Sequence, residues 1–120
     1  GHFDEYRRLG DAAIGVLIAE TGGQNAFIAD SSALPEQLVK DAIGSAFTSA
    51  GQRCSAARVL FVQDDAAPRI KAMLAGAIDA LDVGDPLDYS TDIGPVIDEA
   101  AQDMLEGHKV RMQRSTRSIV

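Results

Sequence analysis

Several familiar devices are missing from this 120-residue chain. It has one cysteine, Cys54, which excludes an internal disulfide framework and a multi-cysteine zinc site. No apolar run approaches the ~20 residues that a membrane-spanning helix needs. Residues 1–10 are polar and charged, so no secretory signal is expected there. Neither G-x-G-x-x-G nor G-x-x-x-x-G-K-[ST] occurs, so the chain carries no familiar phosphate-binding loop. The acids Asp82, Asp85, Asp88 and Asp92 are spaced irregularly and do not match a calcium loop. Repeats, low-complexity stretches and flexible linkers are also lacking.

Cations are scarce too. With 11 basic and 18 acidic side chains the net charge is −7, which argues against nonspecific nucleic-acid binding. The balance is uneven, because residues 109–120 carry Lys109, Arg111, Arg114 and Arg117 and no acid. Four charges make a small patch, which reads as a solvated helix face or tail.

What is present reads as alternating strands and helices. Residues 14–19, IGVLIA, read as a buried strand, and Gly22-Gly23 soon after break regular structure and permit positive φ. AFIA at 26–29 reads as a second extended segment. Asp30-Ser31-Ser32 is a helix-start cluster, and Pro35 suits a first turn. The apolar stripe Leu38, Val39, Ala42, Ile43, Ala46, Phe47 and Ala50 predicts a helix stopped by Gly51. RVLFVQ at 58–63 predicts a strand. Asp64-Asp65 can cap the next helix, striped by Ile70, Met73, Leu74, Ala77, Ile78 and Leu81 and ended by Gly84-Asp85-Pro86. A polar loop over 86–95 leads to Asp98, which opens a helix with Ile97, Ala101, Met104, Leu105, His108 and Met112 on one side. This order implies an α/β fold: a few short, mostly parallel strands alternating with helices. So few strands leave apolar surface bare, which suggests part of a larger domain and self-association of the isolated chain.

Three residue types carry chemistry. Cys54 lies in a loop between helix and strand, beside Gly51 and Arg53, where a thiolate can be exposed and stabilised; a lone cysteine is more often a small buried hydrophobe. Glu20 directly follows a strand run, where α/β sites gather, and can act as a general base; a solvated charge is the plainer reading. His2 and His108 are weaker partners for the thiol, because His2 precedes any ordered element and His108 lies on a helical stripe. On these residues alone, an enzyme, a scaffold domain with an inert Cys54, and a small Cys54–His108 hydrolase all stay open.

Three segments in order narrow the choice. They are Glu20-Thr21-Gly22-Gly23-Gln24-Asn25-Ala26, then Phe47-Thr48-Ser49-Ala50-Gly51-Gln52-Arg53-Cys54, then Asp92-Ile93-Gly94-Pro95-Val96-Ile97. Together they resemble the aldehyde dehydrogenase superfamily over roughly residues 16–112. That family carries its general base in Glu-Leu-Gly-Gly-Lys, its nucleophile after Gly-Gln-x-Cys, and later a Gly-Pro-Leu-Ile-like segment. The 34 residues between Glu20 and Cys54 are also the family's usual interval. Thr21 and Gln24 depart from the common leucine and lysine. With Ser55 after the cysteine, they resemble the 1-pyrroline-5-carboxylate (glutamate-semialdehyde) dehydrogenase branch found in bifunctional bacterial proline-utilisation proteins.

The resemblance implies Cys54 as nucleophile, Glu20 as base and Ser55 as a holder of the substrate's carboxylate; a turn hydroxyl is the plainer role for Ser55. It also implies NAD as hydride acceptor, with FAD confined to a separate proline dehydrogenase domain of a bifunctional parent. The family's dinucleotide-binding domain falls outside these residues. The 120-residue piece alone is therefore expected to be inactive and to bind NAD weakly. A small aldehyde substrate and a cytoplasmic location follow from the same resemblance.

Overall fold

The computed structural model describes residues 22–118. The strand expected at 14–19 lies outside the described residues, as do Glu20 and His2. Strand β1 spans Asn25–Ala29, helix α1 Pro35–Phe47, strand β2 Ala57–Val62, helix α2 Ala67–Asp79 and helix α3 Glu99–Met112. The two strands pair in parallel, with Phe27 opposite Leu60 and Ala29 opposite Val62. This is the α/β arrangement expected from the alternation of short apolar runs and longer amphipathic stretches.

One face of the ribbon holds the core. Ala29, Leu38, Val39 and Ile70 are buried together, with Phe27, Leu60, Val62, Met73 and Leu74 packed around them. Alternation along a strand sends the intervening residues to the other side, and there Ile28 and Phe61 are 78% and 56% exposed. Both α1 and α2 therefore serve the same sheet face.

Four boundaries differ from the sequence-based expectation. Asp64-Asp65 do not cap α2, whose N-cap position is Ala66 with no side-chain cap; the Asp65 carboxylate instead accepts the adjacent Ala66 N–H at 2.9 Å. The Asp30-Ser31-Ser32 cluster does not cap α1. The Asp30 carboxylate instead accepts the Ser32 N–H at 2.9 Å and closes its own turn, so the helix starts at Pro35, behind Leu34. Proline's fixed φ sets that start where its missing N–H costs nothing. At the far end, α1 stops at Phe47 rather than running through Ala50. Ser49, Ala50 and Gly51 follow in the left-handed region, with φ of 58°, 53° and 69°. Helix α2 ends at Asp79, short of Gly84, because Val83 is drawn into a parallel bridge with Ile93.

The rest of the chain is more open. Asp82 and Asp92 tie the 81–95 loop to itself: the Asp92 carboxylate accepts the Asp82 N–H at 3.0 Å, and the Asp82 carbonyl accepts the N–H groups of Asp92 and Ile93. Asp98 caps α3 as its position suggests, accepting the Ala101 N–H at 2.8 Å. No residue of α3 is buried. Among the described residues no helix is long and apolar enough to cross a membrane.

Candidate active site

Cys54 lies in the connection from α1 to β2, and three backbone features shape that connection. First, the left-handed run at 49–51 reverses the chain. A Cβ on Gly51 would sit 2.8 Å from the Ala46 carbonyl oxygen, so glycine is required there by contact as well as by φ. Second, the Arg58 guanidinium donates to the Gly51 carbonyl at 2.7 Å from the start of β2. Third, the Gln52 side chain works in two directions. Its Nε2 donates to the Ser49 carbonyl at 3.1 Å, and its Oε1 accepts the Ile97 N–H at 2.7 Å. That second bond ties the Cys54 turn to the Gly94-Pro95-Val96-Ile97 segment, 45 residues away in sequence.

The Gly22-Gly23 segment reaches the same place. A Cβ on Gly23 would lie 3.2 Å from the Cys54 carbonyl oxygen and 3.3 Å from the Asn25 side chain. The positive φ that glycine permits is not used at Gly23. Gly23 serves close approach, with no side chain to hold the strand away from the cysteine turn. The Asn25 amide then donates to the Cys54 carbonyl at 2.6 Å and to the Ala56 carbonyl at 3.0 Å.

Cys54 is free and exposed, and Ser55 is exposed in the same turn, which the Ala56 N–H closes on the Arg53 carbonyl at 3.2 Å. The exposure sets aside the reading of Cys54 as a small buried hydrophobe. A cavity of about 610 Å³ opens beside the turn, with Gly23, Gly51, Gln52, Val96 and His108 on its walls. All three sequence segments thus contribute to one cavity. Cys54 and Ser55 do not line it, so His108 and Cys54 do not share this space and the hydrolase pairing gains no support. Asn25, Gln52 and Arg58 were not singled out from sequence. Asn25 and Gln52 stood inside the quoted motifs, and their polarity beside glycines was the available signal.

The turn between β1 and α1 is where a parallel unit could hold a pyrophosphate. It does not fit one. Asp30 already occupies the Ser32 N–H, proline removes the first helical donor, and Glu36 adds negative charge in the first turn. Hydrogen bonds from the Ser32 hydroxyl and N–H hold the Asp30 carboxyl below its ordinary range, so it stays ionised. No group of three or more potential metal ligands occurs among the described residues.

With this geometry in view, the comparisons with known proteins are specific. The aldehyde dehydrogenase family model matches residues 6–116, and the chain belongs to that family. Over 103 residues it is 54% identical to the bifunctional protein PutA of Salmonella typhimurium, covering 86% of this chain and 8% of that protein. It is 35% identical over 89 residues to a 1-pyrroline-5-carboxylate dehydrogenase of a Geobacillus species, covering 74% of this chain and 17% of the relative. A crystal structure of a PutA variant from Bradyrhizobium japonicum superposes with a TM-score of 0.86 at 51% identity, over 97% of this chain and 12% of that one. The chain therefore spans about a tenth of the PutA proteins it matches.

Proposed function

We propose that this chain is the part of a 1-pyrroline-5-carboxylate dehydrogenase that carries the nucleophile, and that it serves the oxidation of L-glutamate 5-semialdehyde to glutamate in proline catabolism. The observation that supports it most is the convergence of the Gly22-Gly23, Gly51-Gln52 and Ile97 segments around an exposed Cys54. In this reading the Cys54 thiolate adds to the aldehyde carbon, forming a C–S bond and a thiohemiacetal oxyanion. The backbone N–H of Cys54 is a donor for that charge. A bound nicotinamide would supply the hydride acceptor that turns this thiohemiacetal into a thioester on Cys54; the family generally uses NAD(P), and we favour NAD. In this proposal other parts of the protein hold the cofactor, since the β1–α1 turn with Asp30, Pro35 and Glu36 suits no phosphate. Glu20 then takes a proton from water as the water attacks the thioester, and glutamate leaves as the C–S bond breaks.

Ser55 donates its hydroxyl to the substrate's carboxylate in this proposal. A cytoplasmic location belongs to it as well, since a thiolate nucleophile stays reduced there. The test is Cys54→Ala in the full-length protein that contains this segment. Aldehyde oxidation should vanish while any proline oxidation survives, and retained aldehyde oxidation refutes the assignment. Comparing glutamate semialdehyde with pentanal, an aldehyde without a carboxylate, checks the substrate: equal kcat/KM values overturn the carboxylate role of Ser55. For the 120-residue chain alone, the bare apolar side chains Ile28 and Phe61 favour self-association. Sedimentation should find oligomers, and a clean monomer at high concentration refutes that.

A further inference from the structure

We propose that Asn25 is a positioning residue for Cys54, fixing the peptide plane that follows the nucleophile. The proposal rests on the reading of Cys54 given above and adds to it a residue outside the chemical step. The Asn25 amide has two hydrogens. It spends one on the Cys54 carbonyl at 2.6 Å and the other on the Ala56 carbonyl at 3.0 Å, so a single side chain straddles the turn. Ala56 is fully buried, which gives this clamp a fixed foot. The other foot is the nucleophile's own carbonyl.

The local backbone is built for this reach. Asn25 stands opposite Ala57, and the strand register slips between Asn25 and Ala26. Such irregularities re-aim a side chain out of the regular ladder. Gly23 keeps open the space between Asn25 and the Cys54 carbonyl, where a Cβ would lie 3.2–3.3 Å from both. The Cys54–Ser55 peptide is trans, so its C=O and N–H point in opposite directions. Holding the carbonyl on Asn25 therefore turns the Ser55 N–H away from it, and that N–H has no partner among the described residues. The peptide plane sets the backbone torsion of Cys54 and hence the direction from which the thiol meets a substrate. Without Asn25 the Cys54 carbonyl has no fixed partner, and the exposed turn can rotate.

Two measurements test this. In the full-length protein, Asn25→Ala should lower kcat for aldehyde oxidation about 10–100-fold, the size expected for a small misplacement of a reacting group. KM should change less than about threefold, because the substrate's own contacts remain; kcat is read per folded protein, since losing the bond to the Ala56 carbonyl also lowers stability. An unchanged kcat per folded protein overturns the proposal. So does a loss explained wholly by lower stability. In the 120-residue chain, Asn25→Asp puts a negative charge against the Cys54 backbone. The pH profile of Cys54 alkylation by iodoacetamide should move to higher pH. An unmoved profile in folded Asn25→Asp protein means the side chain is not beside the cysteine, and overturns the clamp. The alkylation result depends on geometry alone, so it holds even if Cys54→Ala shows the thiol not to be the nucleophile.

Discussion

The chain divides into a packed half and an open half, and the contrast shows how the cysteine turn is held. From Asn25 to Asp79 two helices bury one face of a parallel pair and enclose Leu38, Val39 and Ile70. From residue 81 onward, loop and helix α3 are organised by local hydrogen bonds, and α3 buries nothing. Cys54 belongs to the packed half, between α1 and β2, yet Gln52 two residues earlier is the bond that reaches across to the open half at Ile97. The packed half makes a stable platform, and the open half supplies a wall of the cavity beside it.

Cutting into the platform should have the largest effect. Ile70→Ala removes a side chain that is 2% exposed and should cost about 2–5 kcal/mol in urea unfolding. The matching change in the open half, Leu105→Ala, should cost less than about 0.5 kcal/mol because Leu105 is already 47% exposed. Equal costs would erase the distinction between the halves.

Next comes the turn. Gly51→Ala should destabilise by about 1–3 kcal/mol, since it adds a Cβ in a left-handed position and 2.8 Å from a carbonyl oxygen. A neutral Gly51→Ala would mean that the chain does not reverse there. Gln52→Ala should cost about 0.5–1.5 kcal/mol and speed hydrogen exchange at the Ile97 amide while leaving the core amides of α1 protected. Unchanged exchange at Ile97 would show that the halves are joined some other way.

The smallest effect concerns pH. The Asp30 carboxyl is held below its ordinary value of 3.8 by Ser32. Its contribution to stability is therefore present above that ordinary value and lost as pH falls through the lowered one. Asp30→Asn should flatten this part of the acid unfolding curve, because the ionisable acceptor of the Ser32 bonds is then gone. A curve identical to wild type removes Asp30 from the account.

The sequence made the packed half legible and left much of the turn hidden. Both strands were visible as apolar runs, β2 one residue from its observed limits, and the α1 and α2 stripes identified the helices because their apolar residues recur at the helical period. Asp98 was recognisable as a cap because its side chain acts within its own first turn. Asp30 looked like a cap for the same reason and was not one, since an aspartate can as easily close a turn on the N–H two residues ahead. The left-handed Ser49-Ala50 pair had no signal at all. Alanine favours continuing a helix, and the Arg58 bond to Gly51 together with the Gln52 side-chain and backbone bonds to the Ser49 carbonyl hold the chain in the strained form. Among the candidate site residues, Cys54 and Ser55 were visible as a motif, whereas Asn25 emerged only when β1 was laid against the turn.

In the proposed reaction Cys54 forms the covalent bond to the substrate and Glu20 brings about its hydrolysis. The most direct measurement is mass spectrometry of the full-length Glu20→Gln protein after mixing with glutamate semialdehyde and NAD. A glutamyl thioester should accumulate on the peptide containing Cys54. Steady turnover with no adduct on that peptide, or an adduct on a different residue, would contradict it.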